Sequence, residues 1–245
     1  MPGGPTVNRI RSRTPVLAGV LAVTVAGALL LTACSSGPSG EAGGVPTTRS
    51  PSSDAAGTLG AGFVDPSSPP SPEATISPAP GSWDGTHPPA DYDVVLLSPG
   101  EYGAGDDAQT ATLASAVRSW ATAEGVTVTD VQPASADGMT DAVLQAVADR
   151  ADLVISVRNA MVDPVAAISP SALHQQFLVL GAEIAEPTSN VTAADWTGAG
   201  FRGEELGASS HHDPSTFTPE RAGRALRAGV AALQHDLNGT VVWVD

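Results

Sequence analysis

Most residues with the means for chemistry fall between positions 98 and 213 of this 245-residue chain. Gly103-Ala104-Gly105-Asp106-Asp107-Ala108 has the G-x-G-x-x-A spacing that lets a backbone approach a pyrophosphate at a helix N-terminus. Its two acids bring negative charge to the place where that ligand needs the opposite. They serve equally as caps on a following helix, whose dipole favours carboxylates at its start, or as contacts to a small ligand. Arg158 stands just past an apolar run, where a guanidinium can hold a carboxylate, stack on a ring, or form an ion pair on an acidic surface. Tyr102 and Trp196 have faces that stack on a planar ligand or pack in a core. His211-His212-Asp213 offers metal-ligand atoms, but adjacent residues seldom converge on one ion and no further His or Cys stands at standard spacing; a solvated loop is the expectation. Ser209, His211 and Asp213 also supply hydrolase residue types, without the G-x-S-x-G elbow. No cofactor fingerprint emerges, and no complete catalytic set, so the chain is expected not to be an enzyme.

The one cysteine, Cys34, has another setting. Arg9, Arg11 and Arg13 form a basic start, and an apolar run over 15–31 follows with no acid before it. That is the pattern of an export signal. Leu31-Thr32-Ala33-Cys34 resembles the bacterial lipobox, which implies cleavage before Cys34 and a diacylglycerol on its sulfur. A single transmembrane helix with an incidental cysteine is the alternative. Two lipid chains on one residue suffice for stable anchoring, so the expected location is the extracytoplasmic face of a bacterial cell membrane.

The chain carries a net charge of −15. Removal of residues 1–33 takes away three arginines and no acid, leaving −18. Such a surface repels nucleic acid and anionic headgroups. With one cysteine, no disulfide closes within the chain, and stability must come from packing.

Residues 34–90 are rich in Ser, Pro, Gly, Thr and Ala, as in the stretch DPSSPPSPEATISPAPG. They lack apolar periodicity and are expected to be a disordered tether. Residues 91–245 change character and have the length of one domain. Short apolar or β-branched runs at 92–98, 126–132, 152–158, 175–184, 190–196 and 240–244 predict strands. Between them, helical spacing predicts helices over 107–124, 139–150, 161–168 and 218–239, with a further helix near 201–210. Thr218-Pro219-Glu220 supplies a cap, a first-turn proline and a first-turn acid. Alternation of nearly continuous apolar strands with helices predicts an α/β fold: a doubly wound, mostly parallel sheet in a three-layer αβα sandwich with right-handed crossovers. Ligands of such sheets sit at the strand carboxyl ends near the switch in strand order, here residues 98–107, 133–138, 158–163 and 184–189. Because its core lies wholly beyond the tether, a chain starting at Tyr92 is expected to fold.

The stretches DLVISVRNAMVDPV, QQFLVLGAEI, NVTAADW and AGRALRAGVAALQ, followed by GTVVWVD, resemble the first lobe of the basic-membrane-lipoprotein group. These are type I periplasmic-binding-protein-like solute receptors of ABC importers, several of which take nucleosides. The resemblance implies a lipid-anchored solute-binding or transport-accessory lipoprotein. It implies that the loop with Tyr102, Asp106 and Asp107 and the loop with Arg158 and Asn159 face a small polar solute such as a nucleoside. An ABC permease or a second-lobe protein is the implied partner, besides the membrane reached through Cys34. The alternative is a structural lipoprotein that docks on a membrane or cell-wall partner without capturing a solute; an apolar patch at the strand carboxyl ends would mark it.

Overall fold

The computed structural model describes residues 56–102, 107–201 and 212–245. Cys34, Asp106 and most of the segment 201–210 lie outside them, so the lipidation site and the helix expected there have no structural account.

Among the described residues, seven strands form one all-parallel sheet. In chain order they are β1 (Thr75–Ile76), β2 (Asp93–Leu97), β3 (Thr127–Val131), β4 (Leu153–Val157), β5 (Phe177–Leu180), β7 (Val191–Asp195) and β9 (Val241–Trp243). Their spatial order is β3-β2-β4-β5-β7-β9-β1. A separate parallel pair joins β6 (Ala182–Glu183) to β8 (Gly200–Phe201). The helices are α1 (Asp107–Glu124), α2 (Met139–Ala148), α3 (Val162–Ile168) and α4 (Pro219–Gln234). Every strand read from the sequence is present. The expected fourth strand breaks at Gly181, whose φ of +72° ends β5 and turns the chain into β6.

The sheet is buried on both faces because its central strands carry apolar side chains to each side. Val94, Leu96, Ile155, Leu178 and Val242 point to the face covered by α1 and α4. Val95, Leu97, Val154, Val179 and Val241 point to the face covered by α2 and α3. Helix α4 starts as its sequence dictates, with the Thr218 hydroxyl accepting from the Arg221 N–H at 3.2 Å. It lies so close to the sheet that a Cβ on Gly229 would stand 2.7 Å from Leu178 Cδ1. A larger residue there would force the Leu178 side chain to shift.

Two expectations are corrected. The first is the handedness of the crossovers. The connections through α1, α2 and α3 share one hand. The step from β7 to β9 runs in the same direction as that from β4 to β5, yet α4 covers the opposite face from α3. Its crossover therefore has the opposite hand. The usual rule describes short βαβ units; here β8 and a long connection intervene between β7 and α4, which frees the chain to enter from the other face.

The second correction concerns the tether expected through residue 90. From Ala56 onward the segment is a strap on the domain. Phe63, Ile76 and Trp83 are buried in the core under α4, and β1 extends the sheet beyond β9 in parallel register, Thr75 beside Val241. The strap is tied down at its ends. The His87 N–H donates to the Ala56 carbonyl at 3.0 Å, His87 Nδ1 lies 2.8 Å from a Glu124 carboxylate oxygen, and Arg227 lies 3.8 Å from Asp84.

Candidate functional site

The strand order reverses at β2, which lies between β3 and β4. The loops after these three strands leave the sheet at that switch, where doubly wound folds bind ligands. Two of them are joined by hydrogen bonds. Gln132 Nε2 donates to Ser98 Oγ at 3.2 Å, and the Tyr102 hydroxyl donates to the Ala134 carbonyl at 3.3 Å. Tyr102 is half-buried and sits in the short 3-10 turn Gly100–Tyr102. The Glu101 carboxylate beside it, by hydrogen bonding and by its charge, raises the phenol above its ordinary pKa.

The loop after β4 is built differently. Arg158 has φ +82° and ψ 152°. That region is almost reserved for glycine and costs about 1–3 kcal/mol for other residues. The strain persists because the side chain is over-determined. Arg158 is buried, its guanidinium donates to Gln109 Oε1 of α1, and it lies 5.7 Å from the centroid of the Phe217 ring. Phe217 in turn packs edge-on against Trp196, with centroids 5.2 Å apart, and against His212 at 5.6 Å. Gln109 Nε2 lies 3.4 Å from His212 Nε2. A cation, two aromatic rings, an imidazole and an amide thus bind the start of α1, the end of β4 and the segment before α4 together.

Asn159 follows at the start of the turn Asn159–Met161. Its Oδ1 is buried without a hydrogen-bond partner. A Cβ on Gly200 would come within 3.1 Å of Asn159 Cβ, so β8 passes directly over this residue. An acceptor shut from water without a donor costs about 1–3 kcal/mol, and at a ligand-binding edge of the fold such an atom is a place for a donor to arrive.

The residues expected from the sequence divide accordingly. Arg158 and Asn159 stand at the strand carboxyl ends, and Arg158 is held by protein groups. Tyr102 reaches the loop after β3. Asp107 is the first residue of α1, while Asp106 lies outside the described residues. Trp196 is a core residue whose Nε1 donates to Thr216 Oγ1 at 3.1 Å. Asp213 caps the turn Pro214–Thr216, accepting from the Ser215 N–H at 2.9 Å and its hydroxyl at 2.7 Å, and these bonds lower its pKa. That carboxylate is committed to a cap. Ser209 and His211 lie outside the described residues, among which no group of three metal-ligating side chains occurs. Sequence reading missed Gln109 and Phe217: neither belongs to a motif, and only the fold brings them to Arg158.

The exposed large apolar residues among those described are Leu144 on α2 and Leu173 before β5. Neither lies at the strand carboxyl ends, so the patch expected of a docking lobe is not formed there by described residues. Two open grooves of about 780 and 710 Å³ also lie elsewhere, one within residues 62–77 and one between α1 and α4.

No protein-family model and no curated protein matches the sequence. Among solved structures, the chain is similar to an ABC transporter system solute-binding protein of Aeropyrum pernix K1, at 22% identity and a TM-score of 0.39 over 44% of this chain and 29% of that one. It is similar to a solute-binding protein of an ABC transporter system from Conexibacter woesei DSM 14684, at 20% identity and 0.35 over 43% and 35%. A fragment of a candidate lipoprotein from Peptoclostridium difficile 630 is 16% identical, with a TM-score of 0.43 over 59% of this chain and 99% of that fragment. The matched region spans less than a third of the Aeropyrum protein's length.

Proposed function

We propose that the protein is a lipid-anchored, extracytoplasmic, non-enzymatic solute-binding or transport-accessory lipoprotein that takes a small polar solute, such as a nucleoside, at the strand carboxyl ends. The observation that carries this is the strained turn at the switch in strand order, where Arg158 is braced by Gln109 and Phe217 and the next residue presents a buried, unpartnered amide oxygen. Strain of this kind collects at ligand sites, where surrounding structure maintains it. Arg158 acts as the brace that sets the turn, and Asn159 as the acceptor for a hydroxyl or amino hydrogen of the solute. An ABC permease is the partner that such a role requires.

Thermal-shift screening of the full chain with nucleosides, sugars and amino acids tests the solute. A ligand at a hundred times its Kd adds about 2.7 kcal/mol of stability, and Asn159→Ala should remove most of the shift while keeping the unliganded melting temperature within a few degrees. A screen in which no compound stabilises the wild type counts against solute capture. The anchor is tested separately. Labelled palmitate should enter the wild type and not Cys34→Ser, since no other thiol is present to substitute; equal labelling and equal processing of the two would overturn it.

A further inference from the structure

The two edges of the large sheet are treated differently. At one end the chain's own strap supplies β1, a strand of two residues preceded by Pro69, Pro70 and Pro72. A very short strand next to prolines is a blunted edge and a poor template for a further strand. At the other end stands β3, five regular residues with no proline, glycine or lysine. Its Thr127 N–H donates to the Tyr92 carbonyl at 3.2 Å and its Val131 carbonyl accepts from the Ser98 N–H at 3.1 Å. In a parallel ladder alternate residues face the same neighbour, so Thr127, Thr129 and Val131 face β2, while Val128 and Asp130 turn their N–H and C=O groups outward.

Charge decides what can approach this edge. The chain carries −15, which repels an identical chain over most of its surface. On β3 the single acid is neutralised in place, because Arg118 of α1 donates to Asp130 Oδ1 at 2.5 Å. The strand is also self-complementary. When a second β3 is laid antiparallel about a two-fold axis through Thr129, Val128 falls opposite Asp130 of the copy, and each outward pair exchanges two backbone hydrogen bonds. Thr129 meets its own copy as the close, non-hydrogen-bonded pair, and cross-strand Thr–Thr pairs are favourable. The two Asp130 side chains stay apart.

We propose that β3 is the site at which a second copy of this chain adds, continuing the seven-stranded sheet into the copy through antiparallel β3–β3 pairing. The contact is small, so the dimer is weak in dilute solution. Confinement of tethered copies to one surface raises their effective concentration and favours it. Added salt strengthens it by screening the net charge.

Cysteine cross-linking reads both the pairing and its register. In full-length Cys34→Ser protein, Thr129→Cys places two thiols across the axis, at the roughly 4.5 Å Cα separation of a close antiparallel pair. That is within the range a disulfide spans. Thr127→Cys places its thiols about 14 Å apart along the strand, out of reach. Both side chains are exposed, and neither substitution touches the core. Under mild oxidation Thr129→Cys should form disulfide dimers at least tenfold faster than Thr127→Cys. Adding Val128→Pro, which deletes an outward N–H while leaving the bonds to β2, should abolish the difference. Association through the N-terminal apolar run affects all variants alike and cancels. Equal rates for the two cysteines, or a Thr129 cross-link indifferent to Val128→Pro, would overturn the proposal.

Discussion

Single residues hold this domain together where strands and helices do not reach. Asn190, buried before β7, directs its side-chain amide to the carbonyls of Ser169, Ala172 and Gln175 at 2.9–3.2 Å and closes the loop between α3 and β5. His235 plays a similar part at the end of α4, where its Nε2 lies 3.2 Å from Thr86 Oγ1 of the strap. Burial lowers the imidazole pKa below its ordinary value, against the opposing pull of Asp236. The unfolded chain then takes up a proton near pH 6.5, before the folded chain does. The stabilisation is complete above that pH and is lost as pH falls through the lower folded-state value. Urea midpoints should therefore drop more steeply for the wild type than for His235→Gln between pH 7.5 and pH 5. Parallel curves would show that the imidazole does not contribute in this way.

At the scale of elements, the core strands and helices were legible because each satisfies its own local rule. The runs DVVLL and LVISV carry apolar side chains to both faces and are bounded by turn residues, which fits strands buried on both sides. Pro219 and the Thr218 cap fix where α4 begins. What was not legible depends on contacts between distant segments. Phe63, Ile76 and Trp83 are scattered through a stretch without apolar period, yet all three are buried in the core cluster on the α1–α4 face of the sheet, so no pattern along the chain announces them. The hand of the last crossover likewise leaves no mark on periodicity. The site divides in the same way. Arg158 and Asn159 could be found because they follow a strand, whereas Gln109 and Phe217, which hold Arg158, belong to α1 and to the segment before α4. The small residue at Gly229 reads as a neutral helix position until the sheet beneath it is seen.

For the whole molecule, the boundary of the folding unit follows from where the core ends. A domain starting at Tyr92 would lack Phe63, Ile76 and Trp83 and would expose the β9 edge that β1 covers. Full burial of each such side chain contributes about 1.5–3 kcal/mol, so their combined loss approaches the 5–15 kcal/mol by which ordinary domains are stable. The ties from Ala56 to His87, from His87 to Glu124 and from Thr86 to His235 would go as well. A chain beginning at residue 56 should give a cooperative thermal transition by circular dichroism. A chain beginning at residue 92 should be unfolded or aggregate, contrary to what the composition of residues 34–90 suggests. If the two chains melted together, the strap would be dispensable and the covering of the sheet edge by β1 would have no energetic weight. A large difference would make the strap an integral layer of the domain, held by the burial of Phe63, Ile76 and Trp83 and by the pairing of β1 with β9.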